Sequence, residues 1–76
     1  MQVSVTLWGN LRRFAPRGIG SADLQLADGA TIVDLVRELG AEHEVYAAAL
    51  NGRVVPFSTQ LSPRDSVFLF DHLNGG

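Results

Sequence analysis

Between two stretches of alternating residues lies a single helical stripe, and it limits this chain more than any other feature. Ile32, Leu35, Val36 and Leu39 fall at i, i+3, i+4 and i+7, which puts one apolar face on a helix of about two turns. Thr31-Ile32-Val33-Asp34 supplies a hydroxyl and a carboxylate at the capping spacing, and Gly40 is a natural stop. Aspartate is shorter than the usual glutamate, so the reciprocal cap is the weaker half of that motif. A helix this short does not hold in water alone; it must lie on a sheet.

The flanks supply the sheet. Val3, Val5 and Leu7 alternate with Gln2, Ser4, Thr6 and Trp8, the period-two pattern of a half-buried strand. Leu11 to Gly20, with Pro16 and Gly18, reads as a loop, and Leu11 and Phe14 tuck against the core edge. Ala22, Leu24 and Leu26 form a second strand that closes at Asp28-Gly29. Beyond the helix, Tyr46 to Leu50 is a strand weakened by three alanines, and Tyr46 and Phe57 read as edge packing. Asn51-Gly52 is a strong hairpin signal, because both central positions of a type I′ turn need positive φ. Arg53-Val54-Val55 returns to Pro56, Leu61 plugs the core, and Ser66 to Phe70 is the last strand. The order ββαβββ, with the first and last strands parallel in the middle, predicts an α+β fold of the β-grasp, ubiquitin-like type. A mixed sheet of four to five strands packs on one helix. Residues 1–72 form the domain and 73–76 a flexible tail.

Composition removes several classes of function. A domain of 76 residues with 46% hydrophobic content can build one small core. It has no cysteine, so no disulfide framework, thiolate metal site or cysteine nucleophile; His43 and His72 alone suggest no metal site. His43 reads as a connector residue and His72 as a solvated tail residue. A net charge of -2 with dispersed arginines argues against nucleic acid. Arg12, Arg13 and Arg17 read first as a solvated loop and second as a phosphate or partner contact. No apolar run approaches the roughly 20 residues of a membrane span and no signal peptide is evident, which predicts a cytoplasmic protein with no membrane partner. All six basic residues are arginine, so no lysine side chain could accept an isopeptide bond.

The sequence finishes with Asp71-His72-Leu73-Asn74, a short polar tail, and Gly75-Gly76. Glycines pass through clefts that any other residue would block. Taken alone, that finish reads equally as a glycine-rich tail or as a reactive end. Outward parity places Trp8, Phe68 and Phe70 on one face beside the tail, as a docking patch, unless the tail or the Leu11–Gly20 loop covers the rings.

In this order and spacing the chain resembles the MoaD/ThiS family of sulfur carrier proteins. The likeness runs through Val5-Thr6-Leu7-Trp8-Gly9-Asn10-Leu11-Arg12, Asp28-Gly29-Ala30-Thr31-Ile32-Val33-Asp34-Leu35 and Leu50-Asn51-Gly52-Arg53-Val54-Val55. It closes on Leu61, Arg64-Asp65-Ser66-Val67-Phe68-Leu69-Phe70 and Gly75-Gly76. Arg64 stands where the family usually has glycine, and Asp71-His72-Leu73-Asn74 is not the common tail. The resemblance implies that Gly76 is adenylated by a ubiquitin-activating-type enzyme using Mg-ATP and then thiocarboxylated from a persulfide donor. Leu73, Asn74 and Gly75 serve as tether, and the sulfur passes to an acceptor synthase. It implies a protein co-substrate with no catalytic residue and no bound cofactor. A role like the small subunit of molybdopterin synthase is favoured over a thiazole-pathway carrier. The rivals from other classes are a ubiquitin-like modifier joined through Gly76 and a β-grasp interaction module without tail chemistry.

Overall fold

The computed structural model describes residues 1–14 and 20–71. Its strands are β1 (Gln2–Leu7), β2 (Ser21–Gln25), β3 (Ala47–Leu50), β4 (Arg53–Val55) and β5 (Ser66–Phe70), with one α-helix, α1 (Ile32–Leu39). They form one sheet in the order β2-β1-β5-β3-β4. β1 and β5 are parallel at its centre, with Val5 opposite Val67 and Leu7 opposite Leu69; the other pairings are antiparallel. This is the β-grasp arrangement expected from the alternation.

The core lies between α1 and one face of the sheet. Val3, Val5, Val67 and Leu69 are fully buried against Ile32 and Leu35, and Leu61 closes the side. In α1 the Thr31 hydroxyl accepts from the Asp34 N–H, and the Asp34 carboxylate accepts from the Thr31 N–H at 2.9 Å. Both halves of the capping box are therefore made, despite the shorter acid. That backbone bond holds the Asp34 carboxyl below its ordinary value against an opposing cost of desolvation, with lesser help from the Thr31 hydroxyl and Arg37. Gly40 ends the helix at φ 73° and donates to the carbonyls of Val36 and Arg37.

Three local expectations are corrected. The segment read as a loop from Leu11 begins as a 3-10 helix, Gly9–Phe14, because Leu11 is fully buried and Phe14 packs on the core; a short helix is the compact way to point both inward. β3 starts at Ala47 rather than Tyr46, whose side chain is largely exposed, while Phe57 packs on the core. Asp71, read as the start of the polar run that follows β5 although inside the 1–72 domain, is buried rather than solvated.

The turn chemistry ties the hairpins to β5. Asn51 and Gly52 both have positive φ, as a type I′ turn requires. Asn51 accepts from the Ser66 N–H at 2.9 Å and donates to the Asp65 carboxylate at 3.1 Å. Asp65 also accepts from the Ser62 N–H at 2.7 Å. Arg64 occupies the left-handed region at φ 70°, where the resembled family has glycine.

Candidate docking face

Parity turns Phe68 and Phe70 of β5 away from the helix, while Val67 and Leu69 face it. Trp8 lies one residue beyond the end of β1, and its N–H donates to the Leu69 carbonyl at 3.0 Å. That bond extends the central parallel pairing and sets the indole beside β5. Its ring centroid is 6.2 Å from that of Phe68 and 6.3 Å from that of Phe70, with interplanar angles of 26° and 23°. These separations fall within the range of favourable aromatic pairs. Trp8 is 50% exposed; Phe68 and Phe70 are half-buried, each lying beside the Trp8 ring.

The surroundings make this an asymmetric face. Phe68 is paired with Ala49 and Phe70 with Ala47, so small residues flank the rings on the β3 side. Ala49 is in turn opposite Val54 of β4, which is 74% exposed. On the β1 side Phe68 is opposite Thr6, which pairs with Ser21, and Ser4 pairs with Asp23. One half of the open sheet is therefore apolar and the other polar.

At the rim, the 3-10 helix is joined to the end of β5. The Asn10 N–H donates to Asp71 Oδ2 at 2.8 Å, across 61 residues of sequence. Gly9, at φ 64°, brings that N–H round; a Cβ there would stand 2.6 Å from Asp71 Oδ1. Sequence reasoning missed this contact. The available signal was the Val67, Leu69, Asp71 parity, which puts a carboxylate where a third core-facing residue would stand.

The basic cluster is not one unit. Arg13 pairs with Glu44 at 3.2 Å, donates to the Asn10 carbonyl and stacks over the Phe14 ring. Arg12 lines the shallow groove between Trp8 and Ser21, while Arg17 lies outside the described residues. His43 is an exposed connector residue. His72, Leu73, Asn74, Gly75 and Gly76 lie outside the described residues. Among the described residues no group of acidic or histidine side chains could hold a metal ion, and no helix is long and apolar enough to cross a membrane.

The family model for the ThiS family matches residues 5–76. No curated protein sequence matches the chain significantly. Among solved structures, a Pyrococcus furiosus protein provisionally assigned as molybdopterin converting factor subunit 1 is 26% identical. The match covers 93% of this chain and 97% of that one, with a TM-score of 0.76. SAMP1 from Haloferax volcanii shares the fold at 20% identity and a TM-score of 0.77, covering both chains fully. The Haloferax volcanii HVO 2177 protein shares it at 24% identity and a TM-score of 0.82, over 100% of this chain and 87% of that one.

Proposed function

The chain belongs to the ThiS family, and from that premise we propose that it is a sulfur carrier whose working group is the carboxylate of Gly76. One observation carries the reading: the family match does not stop with the β-grasp domain but runs through Gly75 and Gly76.

A carboxylate is a poor electrophile. An activating enzyme of the ubiquitin-activating type would join it to AMP from Mg-ATP, releasing pyrophosphate. The outer sulfur of a donor persulfide attacks the acyl carbon, AMP leaves, and an acyl disulfide forms. A thiol then attacks the donor's sulfur, the S–S bond breaks, and the thiocarboxylate is released on Gly76. The thiol is thereby oxidised to a disulfide with the donor. In the next step an acceptor synthase takes the sulfur and water returns the carboxylate. This chain supplies no base, metal or bound cofactor; it is the co-substrate rather than the catalyst. In this reading, use of ATP and a persulfide donor favours a cytoplasmic cycle.

Trp8, Phe68 and Phe70 are the docking surface in this reading. They are large, clustered and partly exposed, which is the composition of binding hot spots. Leu73, Asn74 and Gly75 are the tether. The likeness to the Pyrococcus furiosus protein favours an acceptor like the large subunit of molybdopterin synthase.

Intact-mass analysis of the protein isolated from its native host tests the core of this. An oxygen-to-sulfur exchange on the C-terminal residue is expected, and it should vanish when Gly76 is deleted. Isopeptide-linked adducts in place of that exchange would identify a protein modifier instead. Preserved function in a strain carrying the Gly76 deletion would overturn both forms of tail chemistry.

A further inference from the structure

We propose that the β2 edge of the sheet is a strand-addition site for an extended segment of a partner protein, one that alternates apolar with basic residues. The proposal goes beyond the tail chemistry above and does not depend on it.

The backbone sets the site. β1 and β2 pair in one continuous register, from Gln2 opposite Gln25 to Thr6 opposite Ser21. On that register Met1 and Leu26 exchange both backbone bonds, and the Leu7 N–H donates to the Gly20 carbonyl. Antiparallel pairs alternate, so Val3 with Leu24 and Val5 with Ala22 are the bonded pairs between them. Ser21, Asp23 and Gln25 therefore turn their N–H and C=O groups away from β1. Among the described residues no strand pairs with β2 on that side, which leaves three peptide units placed to bond an incoming strand. The opposite edge, β4, is three residues long and runs into Pro56, which has no N–H to offer.

The side chains define the occupant. Ala22, Leu24 and Leu26 face the core side and stay half-buried at the edge. An added strand would set every second side chain beside that strip, where apolar residues fit. The alternate side chains would lie beside Ser21, Asp23 and Gln25, on the outer face. Asp23 is exposed there and forms no ion pair among the described residues. Where the edge ends, a groove between β2 and α1 is walled by Leu26, Asp28, Asp34 and Glu38. The N-terminal amine and Arg37 offset Asp28 and Asp34 only in part, at 3.6 and 3.7 Å, and Glu38 has no such offset among the described residues. One carboxylate midway along the edge and three at its end complement a basic segment. A second copy of β2 is a poor occupant, because centred antiparallel pairing sets Asp23 against Asp23.

The probe is a capped heptapeptide alternating lysine with valine, added to the protein and followed by nitrogen–proton NMR. In the free protein the Asp23 and Gln25 amides should exchange with solvent faster than those of Ala22 and Leu24. The peptide should slow the Asp23 and Gln25 amides, and a version N-methylated at its internal residues should not. Asp23→Lys, a change at an exposed position, should weaken the lysine peptide at least about threefold and strengthen one with glutamate in place of lysine. Slow exchange at Asp23 and Gln25 in the free protein would show the edge already covered and overturn the proposal. So would exchange that millimolar peptide leaves unchanged, equal binding of the lysine and glutamate peptides, or shifts confined to Trp8, Phe68 and Phe70. None of these readouts involves Gly76, so a chain that is never thiocarboxylated would sink the sulfur-carrier reading and leave this one standing.

Discussion

On β5, Val67 and Leu69 are sealed against the helix, while Phe68 and Phe70, each one residue away, remain half open on the opposite side. Both faces of the sheet carry large apolar residues. They differ in what covers them. The inner face has α1, Leu11 and Leu61 over it and contains almost no polar atom. Among the described residues the outer face has only its own neighbours: Trp8 against the two phenylalanines, alanines beside them, and Thr6 and Ser4 beyond. In a domain this small every buried residue is needed for stability, so large apolar groups left uncovered point to use in binding.

Substitutions on adjacent residues should break this comparison cleanly. Leu69→Ala is expected to cost about 2–5 kcal/mol, a large share of the stability of such a domain, and denaturant unfolding would show it. Phe68→Ala should behave in the opposite way. Its melting should shift modestly, while affinity for the activating enzyme, measured by calorimetry, falls at least about tenfold. If the two variants lost stability equally and Phe68→Ala still bound, the faces would not differ in purpose.

Smaller effects sharpen the same contrast. Thr31→Ala removes a hydroxyl that caps α1 and should cost about 1 kcal/mol through the inner layer alone, leaving outer-face binding unchanged in the folded protein. Asp34, its partner, has a folded-state pKa below the ordinary 3.8. Its contribution is therefore complete above that value and is lost as pH falls through the lower folded pKa. An acid titration followed by circular dichroism should show this loss in the parent and not in Asp34→Asn. Arg64→Gly should be the smallest effect. It relieves a left-handed arginine, offset by extra freedom in the unfolded chain, for a gain of up to about 1 kcal/mol with neither face altered.

The strands were legible because one face of each is buried, and burial imposes period two. The helix was legible because its stripe and both caps are local. Asn51-Gly52 announced its hairpin by the same locality. What sequence did not show depends on distant partners. The 3-10 helix at Gly9–Phe14 exists because Leu11 has a core to enter and Asp71 meets Asn10; one apolar pair three residues apart, Leu11 and Phe14, is too short a pattern to announce it. Trp8, Phe68 and Phe70 could be put on one face by parity, but the placing of both phenylalanines beside the Trp8 ring follows from the parallel β1–β5 register, which no short window contains. Asp71 looked like tail because polarity is a local property and burial is not.

The parallel pairing of β1 with β5 also sets a schedule. Adjacent hairpins can form as soon as they are synthesised, but the central pair joins Ser4 to Ser66 and closes a loop of nearly the whole chain. On the ribosome the core therefore stays open until β5 has cleared the exit tunnel. By then the segment that follows β5 has also been made or is about to be. Under the proposed reading, a partner that recognises the assembled outer face would therefore bind only chains in which β1 and β5 have already met.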